Sequence, residues 1–260
     1  MMVTPYPDVN ILLEQLEKNI QKVLGKNIIG FYLYGSLVWG DFDFELSDID
    51  LLAATETSIN EKEFSELKVM QDDFAQKHKK WNDRIEIAYM SLNALRTFKT
   101  QRSQIAVISP GEPFNLKEAG NDWLINWYIV QERGITLFGP SPKDIIEPIS
   151  KAEFIEAVKN QTKDWREWIV HTINSRPYQA YAILTMCRAL YAYKNGEQVS
   201  KKQAALWVME ELPQWSEQIQ KALHWRNDYR NADITHEETY PETVKFVNFI
   251  IDLVLTSPHA

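Results

Sequence analysis

The 260-residue sequence contains one cysteine, Cys187, so no disulfide can close within the chain and nothing points to an oxidising compartment. No apolar run reaches the roughly 20 residues of a membrane span. The longest, near residues 246–255, is broken by Asn248 and Asp252. Basic residues are in the minority, 28 Lys and Arg against 36 Asp and Glu. The resulting charge of -8 disfavours a nucleic-acid partner, whose phosphates call for clustered cations. The Walker pattern of P-loop kinases is missing. The five histidines lack the spacing of zinc ligands. Internal repeats and low-complexity segments are absent. The opening Met-Met-Val-Thr-Pro-Tyr-Pro-Asp has no basic stretch leading into a hydrophobic one, so no signal peptide and a cytoplasmic location are expected. What is there is a globular mix, 45% hydrophobic and 25% charged. Nine Trp, eleven Tyr and eleven Phe can build a core and leave rings to line a pocket.

The chain changes character near its middle. Residues 8–24 carry Ile11, Leu12, Leu16, Ile20, Val23 and Leu24 at helical spacing, ended by Gly25. Buried strands are expected at Ile28–Tyr34, 48–53 and 84–90. A helix between the last two opens on the capping box of Asn60 and Glu63 and runs to about Lys79. Strands separated by helices suggest a small α/β unit. Residues 110–148 hold most of the turns, with a helix at 123–133 between them, and residues 101–121 read as a central loop. The boundary is placed at Pro148, giving domains 1–148 and 149–260. The second domain reads as a bundle of about five helices: 152–173, 178–194, 201–212 capped by Ser200, 216–230 and 241–256. Trp165, Trp168, Trp207 and Trp215 are expected in its core, and Cys187 as a buried, inert thiol.

The informative stretch is Tyr32-Leu-Tyr-Gly35-Ser36, then Ser47-Asp48-Ile49-Asp50 eleven residues on. A strand ends in Gly-Ser, where bare backbone amides can meet a phosphate closely. A second strand opens with Asp-x-Asp. Alternation puts both carboxylates on one face, roughly 6–7 Å apart, where they repel unless a cation sits between them. Mg²⁺ takes carboxylate and phosphate oxygens together. Glu86, between apolar Ile85 and Ile87, would share that face if the strands are neighbours, with nearby Asp83 as the alternative. This set suits metal-assisted phosphoryl or nucleotidyl transfer: Asp48 and Asp50 hold the metal, and Glu86 accepts a hydroxyl proton or completes the metal shell. Asp41, Asp43 and Glu45 form an acidic loop, either solvated or attractive to a cationic substrate.

In this order and spacing, Gly35-Ser36, Asp48-Ile49-Asp50 and Glu86 resemble the signature of the polymerase-β-like nucleotidyltransferase superfamily. The run Leu184-Thr-Met-Cys-Arg188-Ala-Leu-Tyr191, then Gly196 and Ser200-Lys201-Lys-Gln-Ala-Ala-Leu-Trp207, resembles the helical C-terminal domain of aminoglycoside adenylyltransferases of the streptomycin/spectinomycin type. Leu137-Phe-Gly-Pro140 resembles that family's interdomain turn. The resemblance implies an α+β fold class: an N-terminal nucleotidyltransferase domain, a small mixed sheet with helices, followed by an α-helical bundle domain. ATP and antibiotic would bind between them. It implies Gly35 and Ser36 at the nucleotide, Lys201 on its triphosphate, Tyr229 lining its site and Arg188 nearby. The family reaction moves AMP from ATP to a drug hydroxyl and releases pyrophosphate. Two Mg²⁺ ions and a small, hydroxylated, cationic acceptor are therefore expected. Trp123 or Trp127 is the candidate for the family's aromatic drug contact. The family also carries acids where Pro177-Tyr178-Gln179-Ala180-Tyr181 stands here, and this turn has none. That leaves two alternatives open, a nucleotidyltransferase that modifies a protein and a non-catalytic nucleotide-binding relative.

Overall fold

The computed structural model describes residues 2–225 and 236–256. The chain divides into two compact units, Met1–Ile149 and Ser150–Ala260.

The first unit is built on a six-stranded sheet in the order β5-β4-β3-β2-β1-β6. Its strands are β1 (Ile28–Tyr34), β2 (Ile49–Thr55), β3 (Ile85–Ser91), β4 (Ser103–Ser109), β5 (Glu112–Ala119) and β6 (Ile135–Phe138). Only β2 and β3 pair in parallel; the other neighbours are antiparallel. A parallel pair needs a crossover, and α3 (Glu61–Lys77) supplies it, opening on the reciprocal Asn60–Glu63 capping box. The first helix, α1 (Pro7–Leu24), buries Val9, Leu12, Leu13, Leu16 and Ile20 on one stripe and packs on α3. Each such side chain contributes on the order of 1.5–3 kcal/mol by leaving water.

The sheet residues in this core are alternate ones: Phe31 and Leu33, Ile49 and Leu51, Ile85 and Ile87. The period of two therefore leaves Tyr32, Tyr34, Asp50, Leu52, Glu86 and Ala88 on the opposite face. Short helices α2 (Ser36–Trp39), α4 (Leu92–Thr97) and α6 (Pro142–Ile145) join the elements, and α5 (Leu124–Arg133) packs against β1.

Two expectations change here. Residues 101–121 are not a loop but the β4–β5 hairpin, turned by Pro110-Gly111. Trp127 is fully buried and stacked on Trp123 at 5.3 Å, so it is core and cannot offer a ring to a ligand.

The second unit holds α7 (Lys151–Trp168), α8 (Arg176–Asn195), α9 (Lys201–Glu211), α10 (Ser216–Trp225) and α11 (Tyr240–Thr256). Helix α8 packs against the other four. Its buried residues lie all round its axis, as a central helix requires. Gly196 ends it in the left-handed region, and Ser200 and Gln203 open α9 with a capping box. Cys187 is completely buried, and desolvation pushes its thiol above the ordinary value. Trp168 departs from the core expectation. It is 63% exposed at the last turn of α7, off the stripe through Phe154, Val158 and Thr162, and meets the edge of His171. Among the described residues no helix is long and apolar enough to cross a membrane.

Candidate active site

The sheet brings Asp50 and Glu86 together. In the β1–β2 register Tyr34 faces Asp50, and in the β2–β3 register Asp50 faces Glu86. The β3–β4 register pairs Ile87 with Ile108, so the next residue, Ser109, comes opposite Glu86. Tyr34, Asp50, Glu86 and Ser109 thus form one row across four strands, on the face that α1 and α3 leave uncovered. The Tyr34 hydroxyl donates to Glu86 Oε1 at 3.4 Å, and the Ser109 side chain is hydrogen-bonded to the same carboxylate.

Burial is the largest influence on Glu86 and raises its carboxyl above the ordinary value. The Ser109 hydrogen bond opposes that rise, the Asp48 charge adds to it, and the Tyr34 hydrogen bond and Lys117 oppose it. A half-buried carboxylate whose proton affinity is raised is suited to take a proton from a hydroxyl. Tyr34 is pushed well above its ordinary value by burial, then by the charges of Glu86 and Asp50. Its hydroxyl therefore stays a donor.

Asp48 immediately precedes β2 and is half-buried. The loop leading to it is tied by Arg84, which donates to the Ser47 carbonyl at 2.6 Å and the Phe44 carbonyl at 3.1 Å, with its guanidinium over the Trp81 ring. In the acidic loop, Glu45 pairs with Lys80 at 2.8 Å and Asp43 accepts the Glu45 amide at 2.9 Å. Asp83, the alternative to Glu86, has its Oδ1 on the Gly111 amide at 2.6 Å.

Gly35 occupies the turn after β1 at φ 74 and ψ -150, a region open essentially to glycine. A Cβ there would land on the Asp50 carboxylate. Ser36 is not a side-chain cap of α2: Gly35 holds the cap position, and no side chain bonds there. The Ser36 hydroxyl is closed off from solvent and meets no hydrogen-bond partner among the described residues.

These features fit a nucleotide bearing Mg²⁺. The donors offered are all oxygens, the glycine lets the Asp50 carboxylate lie against the turn, and Ser36 presents an unsatisfied polar atom beside it. Among the described residues no group of three or more His, Cys, Asp or Glu is gathered closely enough to hold a metal alone. Mg²⁺ ordinarily takes one or two carboxylates and completes its shell with substrate phosphates and water, so a pair such as Asp48 and Asp50 is sufficient.

In the second unit, Lys201 Nζ lies 4.4 Å from the centre of the Tyr181 ring. Arg188 sits seven residues beyond Tyr181 on α8 and shares its face. Tyr229 lies outside the described residues. At the turn 177–181, Gln179 is fully buried. Its amide nitrogen donates to the carbonyls of Thr172, Ile173 and His236, and its amide oxygen accepts from Thr239 and Thr243. It is a structural tie, with no polar atom to spare for a ligand. Tyr34, Ser109 and Lys117 were not legible in the sequence. The signal for Ser109 was the Pro110-Gly111 turn with alternating Ile105, Val107 before it and Phe114, Leu116 after it.

Residues 144–252 match the family model described as the aminoglycoside adenylyltransferase C-terminal domain. The second unit is thus similar in sequence to the C-terminal domain of aminoglycoside adenylyltransferases. Aminoglycoside (3'') (9) adenylyltransferase of Shigella flexneri is 24% identical over 226 residues, covering 79% of this chain and 80% of that protein. The protein of the same name from Escherichia coli matches at the same identity and coverage. The crystal structure of spectinomycin adenyltransferase AAD(9) from Enterococcus faecialis, with ATP and spectinomycin, superposes with a TM-score of 0.71 at 17% identity. That match covers 95% of this chain and 99% of the other and shows a shared fold.

Proposed function

We propose that the enzyme transfers AMP from ATP to a hydroxyl of a small cationic substrate, an aminoglycoside or aminocyclitol of the streptomycin or spectinomycin class. The observation that carries this reading is the register of Asp50 opposite Glu86 beside the Gly35 turn. The acceptor oxygen attacks the α-phosphorus of ATP. A new P–O bond forms, the bond to the β-phosphate oxygen breaks, and pyrophosphate leaves. Glu86 takes the acceptor's proton, supported by its hydrogen bonds to Tyr34 and Ser109. Gly35 and Ser36 would receive phosphate oxygens. Asp48 and Asp50 would hold one of two Mg²⁺ ions, with Glu86 at the edge of that shell, and the metal's contribution when bound is to neutralise phosphate charge. Lys201, Arg188 and Tyr229 are proposed for the nucleotide on the family resemblance. An enzyme that uses cytoplasmic ATP belongs in the cytoplasm.

Full-length protein incubated with Mg-ATP and a panel containing streptomycin, spectinomycin and other amino sugars tests this by mass spectrometry. One acceptor should gain the mass of AMP. Glu86→Gln should lower that transfer by about 10²–10⁴-fold. Wild-type rates in Glu86→Gln would remove the proposed base. The acid-free turn at Gln179 keeps a second reading, a protein acceptor. A labelled protein band after incubating cell extract with labelled ATP, with no labelled drug, would favour it.

A further inference from the structure

Among the described residues, Asp83 is the one non-glycine with a left-handed backbone, at φ 59. A side chain is disfavoured there, and Asp and Asn are among the few that tolerate it. Its Oδ1 accepts the Gly111 amide at 2.6 Å. Gly111 is the second residue of the turn joining β4 to β5, and Asp83 leads into β3 three residues before Glu86. The hydrogen bond therefore joins the entry of the Glu86 strand to the tip of the hairpin that carries Ser109.

At that tip the ladders leave a single closing pair, Ser109 with Glu112. The β3–β4 register runs only to the pair Ile87 and Ile108, one residue short of Ser109. The β4–β5 register is irregular between Val107 and Ser109. Ser109 thus lies beyond one ladder and beside a break in the other, two residues from the Asp83 tie.

We propose that Asp83 is a positioning residue for Glu86: by holding Gly111 it fixes the hairpin tip and keeps Ser109 against the Glu86 carboxylate. This rests on the reading of Glu86 as proton acceptor. A strained aspartate in that place combines two properties a single residue type rarely offers, tolerance of the left-handed backbone and an acceptor aimed at the turn.

The test uses Asp83→Gly, Asp83→Asn and Ser109→Ala in the full chain, with the acceptor identified by the panel above. Glycine adopts the backbone freely, so its variant folds while lacking the tie. Asp83→Gly should lower kcat about two- to tenfold, the worth of one hydrogen bond, with KM for Mg-ATP unchanged. Asp83→Asn should restore kcat, because its amide oxygen still accepts. Ser109→Ala should reproduce the loss, and the Asp83→Gly, Ser109→Ala double variant should lose no more. Hydrogen exchange at the Gly111 amide should accelerate in Asp83→Gly. Wild-type kcat in Asp83→Gly, failure of Asp83→Asn to rescue, or full additivity with Ser109→Ala overturns the proposal. In those cases Glu86→Gln remains impaired, which separates them from failure of the base reading, where Glu86→Gln stays active. A chain that transfers AMP to no acceptor overturns both.

Discussion

Tyr34 donates a hydrogen bond to Glu86 although β2 lies between their strands, so the phenol reaches past Asp50 to the carboxylate beyond it. The bond links the strand that ends in the Gly35 turn to the group proposed to take the proton. Tyr34→Phe removes the donor and keeps the ring. Because this bond holds the Glu86 carboxyl down, its loss lets burial raise the proton affinity further. The acid limb of the rate profile should move to higher pH, and kcat at neutral pH should fall by up to about tenfold. An unmoved limb would show that the hydroxyl does not support Glu86.

Glu86→Gln should separate activity from stability. A carboxyl whose folded-state value is raised favours folding below its unfolded value, and that contribution fades as pH rises through the folded value. In metal-free protein the glutamine variant should match wild type near pH 4 and melt higher than wild type at pH 8. Melting curves with EDTA across that range decide it. Added Mg-ATP should narrow the gap at pH 8 by stabilising the wild-type protein.

Gly35→Ala places a methyl on the Asp50 carboxylate at a positive φ. Strain of about 1–3 kcal/mol is expected from the backbone alone. Activity should fall more than stability, since the displaced group is Asp50. Urea denaturation and transfer kinetics, measured side by side, test that order. A variant that loses stability but keeps full kcat would show that Asp50 can move without consequence.

Gln179→Leu strips five hydrogen-bond partners of their shared side chain in a fully buried place. The unfolding free energy should drop by at least about 1–3 kcal/mol. A glutamate there would bury a charge and cost more. If Gln179→Glu folds as well as wild type and tightens drug binding, the turn is open to ligands after all.

Much of the architecture could be read locally. Asn60 with Glu63, and Ser200, mark helix starts because their side chains satisfy backbone amides a few residues away. Ile49 and Ile87, alternating with Asp50 and Glu86, announce strands with two different faces. The β4–β5 hairpin escaped because β5 carries Glu112, Lys117 and Glu118 along a half-exposed strand, which blurs its alternation. Trp168 is exposed because it falls off the helical stripe, a position that a core expectation based on residue type does not weigh. The Pro110-Gly111 turn marks a hairpin at Ser109 and Gly35-Ser36 marks a strand end at Tyr34, but neither signal says that the strand of Glu86 lies within reach.

The amino-acid order by itself determined most of the helices, the strands β1, β2 and β3, the glycine at the turn after β1, and the three acids as the chemically informative group. Those depend on contacts within a few residues, where periodicity and capping chemistry act. Which acid faces which, that Asp83 turns to Gly111 while Glu86 turns to Tyr34 and Ser109, and that Gln179 is spent on its own unit, were decided only when β2 and β3 paired in parallel and α8 became the centre of its bundle. Strand register and helix burial are set by packing between segments far apart in the chain, and no local pattern encodes them.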